Sequence, residues 1–177
     1  MAQPNLSSAT PSAGLIDRSD RVRVEVSGPD RVKFLHNLTT NEVKRLQVGR
    51  GCEAFVTSSQ GKTIGYVILL AVEDRIIVRS DPAGLELAMP HFRKYGVLDE
   101  VAIEDRREAT FELHLAGAGC ADQEWRAGAS VPDEPDYTHI LSELAGRPVR
   151  IVRERPTDLP GLTIIGNRGA ESGGGAG

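Results

Sequence analysis

The sequence predicts an α+β fold, and three local patterns carry that prediction. Val22-Arg23-Val24-Glu25-Val26 alternates with period two, the mark of a strand with one buried face. Val32, Leu35 and Leu38 then recur at helical spacing, with Phe34 beside them. Tyr66-Val67-Ile68-Leu69-Leu70-Ala71-Val72 is a continuous apolar run, too short to cross a membrane and suited to a strand buried on both faces.

Residues 1–13 are rich in Ser, Pro and Ala and are expected to form a disordered leader, with order beginning at Gly14-Leu15-Ile16-Asp17. After the alternating strand, Ser27-Gly28-Pro29-Asp30 favours a turn into a helix. Pro29 is expected at its first position and Asp30 in its first turn, where a negative charge meets free amides. Thr39-Thr40-Asn41 extends a helix poorly and is expected to cap a second short turn over Glu42 to Leu46. Cys52 to Thr57 and Thr63 to Val72 read as a hairpin around Ser58-Ser59-Gln60-Gly61-Lys62, and Arg75 to Arg79 as a further strand. Asp81-Pro82 opens a helix to Lys94, with Pro90 predicting a kink or an early end.

Val101 to Asp105 and Thr110 to Ala116 are the next strands; in the second, Phe111, Leu113 and Leu115 alternate with Glu112 and His114. A small helix and loop are expected over 118–135 and a short amphipathic helix over Tyr137 to Leu144, stopped by Gly146. Pro148 to Arg153 and Leu162 to Ile165 are strand candidates. The domain is expected to span 14–165, followed by a disordered Gly-rich tail over 166–177.

The length allows one sizeable core. A formal net charge of -4, with basic residues interspersed, gives no electrostatic footprint for nucleic acid or an anionic membrane. The first 12 residues lack the basic and apolar regions of a secretory signal. The two cysteines, Cys52 and Cys120, make no disulfide framework, so a reducing, cytoplasmic setting is expected. Cys52 reads as a small buried side chain and Cys120 as an exposed residue of a Gly/Ala-rich loop.

Little in the chain is overtly catalytic. His36, His91, His114 and His139 have no metal-ligand spacing, and Gly61-Lys62 lacks the spacing and following helix of a phosphate-binding loop. Ser58-Ser59 lies outside any strand-to-helix elbow. Thr39-Thr40-Asn41 admits two readings. It is a cap and tight connection, or it presents the Asn41 amide, donor and acceptor at once, to a heteroaromatic ligand.

Taken in order, Gly14-Leu15-Ile16-Asp17, Val26-Ser27-Gly28-Pro29-Asp30-Arg31, Phe34-Leu35-His36-Asn37-Leu38-Thr39-Thr40-Asn41-Glu42-Val43, Gly49-Arg50-Gly51-Cys52 and Ser59-Gln60-Gly61-Lys62 resemble the beginning of the glycine-cleavage aminomethyltransferase superfamily. The nearer likeness is to its YgfZ branch, the folate-binding proteins of tRNA modification and iron–sulfur maintenance, and it runs over 14–116. The resemblance implies an aminomethyltransferase-like folate-binding first domain, with a mixed or antiparallel sheet and packed helices. It implies tetrahydrofolate or a folate derivative as cofactor.

Two departures qualify what the resemblance implies about activity. Aminomethyltransferases carry acidic residues shortly after the glycine hairpin, where this chain has Gly65 and Tyr66. The YgfZ branch carries a downstream Lys-Gly-Cys-Tyr/Phe-x-Gly-Gln-Glu segment, which is not matched after Gly117. The resemblance therefore implies a non-enzymatic or catalytically reduced folate-binding protein. The alternatives are a tetrahydrofolate-dependent aminomethyltransferase-like enzyme needing a partner subunit, and a structural module that has lost folate. A missing C-terminal half or partner subunit is expected, and the chain reads as a fragment, a shortened paralogue or one half of an assembly. The implied folate contacts are Asn41, Tyr66 and Arg79, where Arg79 either attracts a glutamyl tail or faces solvent.

Overall fold

The computed structural model describes residues 13–117, 119–120, 135–156 and 159–168. These form ten strands, two α-helices and one 3-10 turn. The strands are β1 (Gly14–Asp17), β2 (Val22–Ser27), β3 (Gly51–Thr57), β4 (Thr63–Ala71), β5 (Arg75–Ser80), β6 (Ala102–Asp105), β7 (Thr110–Ala116), β8 (His139–Leu144), β9 (Arg147–Arg153) and β10 (Gly161–Asn167). The helices are α1 (Arg31–Leu38) and α2 (Pro82–Gly96), and the 3-10 turn covers Val43–Arg45. One sheet has the order β3-β4-β5-β2-β6 and the other β1-β7-β10-β9-β8. All their pairings are antiparallel, which settles the mixed-or-antiparallel expectation.

The first sheet is covered on both faces. Val24, Val26, Val67, Leu69 and Val78 turn to the helices and pack with Phe34, Leu35, Leu85 and Phe92. Ile68, Leu70 and Ile77 turn the other way and meet Val152 and Ile165 of the second sheet. This explains the unbroken apolar run, buried from Val67 to Val72. It also corrects the reading of β2 as a strand with one buried face: Arg23, on the charged side, is only 7% exposed because the second sheet lies over it.

Helix α1 starts later than its turn signal suggested. Asp30 stands at the N-cap without capping the helix, so it is not inside the first turn and Pro29 is not the first helical residue. The Asp30 carboxylate instead accepts from the Glu100 amide at 3.0 Å. Gly28 sits at φ +100, and a Cβ there would lie 2.3 Å from the Glu100 carbonyl oxygen. The turn is thus shaped to receive the 97–101 connection rather than to cap a helix.

Thr39-Thr40-Asn41 forms a strap to β3 rather than a cap for the 3-10 turn, which has no side-chain cap bond. Thr39 bridges Val56, and Thr40 exchanges bonds with Phe55, its amide donating to the Phe55 carbonyl and its hydroxyl accepting from the Phe55 amide.

Helix α2 is capped by Asp81, which accepts from the Gly84 amide at 2.8 Å, with Pro82 in the first turn. Leu85, Ala88, Met89 and Phe92 make its buried stripe. The helix passes through Pro90, so it neither ends early there nor stops at Lys94, and it ends at Gly96. Pro90 lies on the exposed side, so its missing amide leaves the buried stripe intact.

The expected helix over 137–144 is strand β8. Ala145 and Gly146 take φ values of 51 and 75, the two-residue hairpin turn whose central residues are both left-handed, and Leu144 faces Arg147 across it. Gly146 therefore reverses a chain rather than ending a helix. Strand β10 runs to Asn167, two residues past the expected domain end. The helix and loop expected over 118–135 lie outside the described residues apart from 119, 120 and 135, as do the leader (except residue 13) and residues 169–177 of the tail. Cys120 is buried against Val149, Ile151, Leu162 and Ile164, not exposed, and Cys52 is half-buried against the helix-facing core.

Strand β7 lies at the expected residues, but its polar side is the buried one. Glu112 and His114 are 5% and 1% exposed and face the neighbouring sheet, while Phe111, Leu113 and Leu115 are half-buried on the outer side.

Candidate functional site

A cavity of about 270 Å³ opens between the two sheets. Strands β3 and β4 contribute Glu53, Tyr66 and Ile68, the segment between β1 and β2 contributes Arg18 and Arg21, Tyr137 stands just before β8, and Glu154 follows β9. Glu53 points into this gap because Ala54 and Val56, its neighbours in the alternation, are taken by the helix-facing core.

Two phenols converge on one carboxylate oxygen. The Tyr66 hydroxyl donates to Glu53 Oε1 at 2.6 Å, and the Tyr137 hydroxyl donates to the same atom. These bonds hold the Glu53 carboxyl below the usual carboxylate range, so it is an anion at neutral pH. Burial, then the hydrogen bond to Glu53, pushes the Tyr66 phenol up to about 12 and the Tyr137 phenol higher still. Phe55 packs edge-on to Tyr66 with ring centroids 5.6 Å apart. Tyr137 is held at φ 63, a left-handed conformation costing a non-glycine residue about 1–3 kcal/mol. The surrounding bonds maintain it: the Tyr137 amide donates to the Arg153 carbonyl at 2.6 Å.

Beneath the cavity lies a buried ion cluster. Arg79 donates four hydrogen bonds, from Nε and Nη2 to Glu112 at 3.0 and 2.6 Å and from Nη1 and Nη2 to Glu154 at 2.9 and 3.3 Å. Arg18 Nη1 reaches Glu154 Oε1 at 2.9 Å. Burial alone would lower the Arg79 pKa, but Glu154 and Glu112 outweigh it and raise it. Burial likewise opposes ionisation of Glu154, and Arg79 overcomes it and brings that carboxyl down to about 2. Thr163 donates to Glu154 and meets His114 Nδ1 at 2.8 Å, while burial keeps the His114 ring neutral by lowering its pKa.

Of the three residues the resemblance implied, the structure brings only Tyr66 into the cavity wall. Asn41 does not line the cavity; its Nδ2 donates to the Glu53 carbonyl and its Oδ1 accepts from the Glu42 amide, both at 2.7 Å. Arg79 is 2% exposed, which corrects the solvent-facing alternative; two carboxylates already balance its charge, leaving none to draw a glutamyl tail. Glu53, Tyr137, Arg18 and Glu154 went unread. Glu53 was accessible from its inward position in the alternation, whereas Tyr137 is 84 residues away and needs the second sheet to bring it near.

The missing acid after the hairpin has a structural reason. A Cβ on Gly65 would lie 2.8 Å from the Gly84 carbonyl oxygen, so no side chain fits there while α2 keeps its place. The carboxylate that the cavity does hold is on the adjacent strand: Glu53 and Tyr66 lie diagonally across the β3–β4 ladder. Among the described residues no cluster of histidine, cysteine and carboxylate side chains could hold a metal ion, and no helix is long and apolar enough to cross a membrane.

An aminomethyltransferase from Bordetella petrii is 32% identical over 160 residues, a match covering 86% of this chain and 43% of that protein. The chain spans less than half the length of the curated relatives it matches. The solved glycine cleavage system aminomethyltransferase T from Bartonella henselae superposes with a TM-score of 0.74 at 20% identity, over 87% of this chain and 42% of that one. A chain of heterotetrameric sarcosine oxidase from Corynebacterium sp. U-96 superposes with a TM-score of 0.59 at 15% identity, over 88% of this chain and 75% of that one. The GCVT N-terminal domain family matches residues 3–153, and the chain belongs to that family.

Proposed function

We propose that this chain is the folate-binding part of an aminomethyltransferase-like enzyme and acts with further chain or a partner subunit. The observation that carries this reading is the convergence of Tyr66 and Tyr137 on an ionised Glu53 in an aromatic-walled cavity. A carboxylate is a strong acceptor for the ring and exocyclic N–H donors of a pterin, and tyrosine rings supply flat apolar faces for it. Glu53, Tyr66 and Tyr137 would hold the head group. The volume of about 270 Å³ suits a head group, lying below the roughly 300 Å³ where pockets for whole drug-sized ligands begin. The rim arginine Arg21 then suits a carboxylate of a glutamyl tail, while Arg155 beside it is bonded to Asp136 at 3.1 Å.

When bound, a tetrahydrofolate would supply the nitrogen that accepts a one-carbon unit. The protein's part is to bind and orient it and to hold negative charge beside it. Glu53 is an acceptor and an electrostatic partner for a cation, not a proton donor, since its pKa is lowered. It supplies the carboxylate that the catalytic alternative requires, which favours that alternative over a non-enzymatic YgfZ-like role in tRNA modification or iron–sulfur maintenance. The matched aminomethyltransferase and the multi-subunit sarcosine oxidase support a partner-dependent assembly.

Calorimetric titration with tetrahydrofolate and 5-formyltetrahydrofolate tests the reading. Saturable heat is expected, weakened about tenfold or more in Glu53→Gln, and less in Tyr137→Phe, on the scale of one charge-assisted hydrogen bond. Absence of saturable heat in the folded protein, or unchanged affinity in Glu53→Gln, overturns it.

A further inference from the structure

A second crevice between the sheets, of about 180 Å³, shares no lining residue with the cavity at Glu53. Four arginines reach it from four places in the fold: Arg23 on β2, Arg75 on β5, Arg106 after β6 and Arg150 on β9. Glu25 is the one carboxylate in the lining, which therefore carries a formal charge of +3. That carboxylate is shared, with Arg75 Nη1 at 3.1 Å and Arg106 Nε at 4.0 Å, and from outside the lining Asp74 meets Arg75 Nε at 3.2 Å and Glu104 meets Arg106 Nη1 at 4.0 Å.

Two of the guanidiniums have no carboxylate partner among the described residues. Arg23 is 7% exposed, makes no ion pair, and its Nε has no hydrogen-bond partner. Arg150 meets His139 Nδ1 at 2.8 Å, a ring that burial and then Arg150 itself keep neutral by bringing its pKa down to about 4. Burial and the neighbouring arginines Arg106 and Arg79 bring Arg23 down to about 10, against the pull of Glu25 and Glu112. A buried charge left unpaired is costly, and a crevice lined with several like charges is more costly still.

We propose that this crevice is a phosphate-binding site, taking inorganic phosphate or a phosphate group esterified to a small metabolite. Planar guanidinium forks match phosphate oxygens in pairs. Their approach from four separate elements suits a tetrahedral oxyanion better than a flat carboxylate. The volume equals roughly six waters at ~30 Å³ each, enough for an oxyanion with part of its hydration. The site is independent of the folate reading, because none of its residues lines the other cavity.

The test is thermal unfolding and phosphorus NMR line broadening at ionic strength fixed with chloride, with inorganic phosphate, glycerol 3-phosphate and triglutamate as three arms. Phosphate or its ester is expected to raise Tm and to saturate below about 10 mM, on the scale of a weak specific anion site. Tighter binding of the ester assigns the site to a metabolite, and tighter binding of the free ion assigns it to phosphate itself. Arg75→Gln combined with Arg106→Gln, both at partly exposed positions, is expected to weaken the response at least tenfold. Arg23→Met is expected to melt above the parent in phosphate-free buffer and to lose the phosphate response; should it not fold, the double variant decides. No saturable response to either phosphate, an undiminished response in the double variant, or tighter binding of triglutamate overturns the proposal.

Discussion

Histidine and carboxylate titration give single residues a measurable role. His139 has a pKa near 4 in the fold against an ordinary value of 6.5. Between those values the unfolded chain binds a proton that the folded ring refuses, so stability is fully present above pH 6.5 and declines as pH falls toward 4. Glu154, brought down to about 2, adds stability that is present above about pH 4.5 and is lost as pH falls toward 2. Urea unfolding from pH 8 to pH 3 is expected to show little change above pH 7, a decline beginning near 6.5, and a steeper one below 4.5. His139→Gln is expected to shrink the first decline, leaving the part that the lowered His114 ring contributes, and to leave the second unchanged. Gly65 sets another residue-scale limit. Gly65→Ala places a methyl against the Gly84 backbone and is expected to cost about 1–3 kcal/mol, read as a fall in the urea midpoint with an unchanged slope.

At the scale of elements, the helix-facing half of the fold was legible and much of the second sheet was not. Strands β2 to β5 and both helices follow from alternation in β2, the unbroken apolar run of β4, helical spacing in α1 and the Asp81 cap of α2, because the helix-facing core joins neighbours close in sequence. Strand β8 was misread because Tyr137 to Leu144 has apolar residues compatible with two periods, and its pairing with β9 decided between them. Strand β7 was placed correctly but its inward side could not be foreseen. Glu112 and His114 are buried only because Arg79 and Thr163 arrive from other strands to satisfy them. The site followed the same division: Tyr66, on a legible strand, was identified, and Tyr137, on the second sheet's approach, was not. Helix α2 carries its own prediction. Pro90 sits in its interior on the exposed side, so Pro90→Ala restores a backbone donor without touching the core. It is expected to stabilise the protein by about 1–3 kcal/mol, less the entropy regained by a freer unfolded chain, and to raise Tm.

For the whole molecule, the two sheets are joined by an apolar seam and by the Arg79 cluster crossing it. Ile68, Leu70, Ile77, Val152 and Ile165 supply the seam, and Arg79 reaches from the first sheet to Glu112 and Glu154 on the other side. Arg79→Met leaves two buried carboxylates short of a partner and is expected to cost about 3–5 kcal/mol in urea unfolding. Adding Glu154→Gln to it is expected to recover part of that loss, since one stranded charge then disappears. Additive losses in the double variant would show that the two residues do not act as a pair.

Glu154 also belongs to the wall of the Glu53 cavity, so one carboxylate serves both the seam and the site. Occupancy and inter-sheet cohesion are therefore reciprocal quantities: whatever a ligand adds to the pull on Glu154, the register of β7 and β10 must feel to the same extent. Amide hydrogen exchange in those two strands should then report filling of a cavity to which neither contributes a residue.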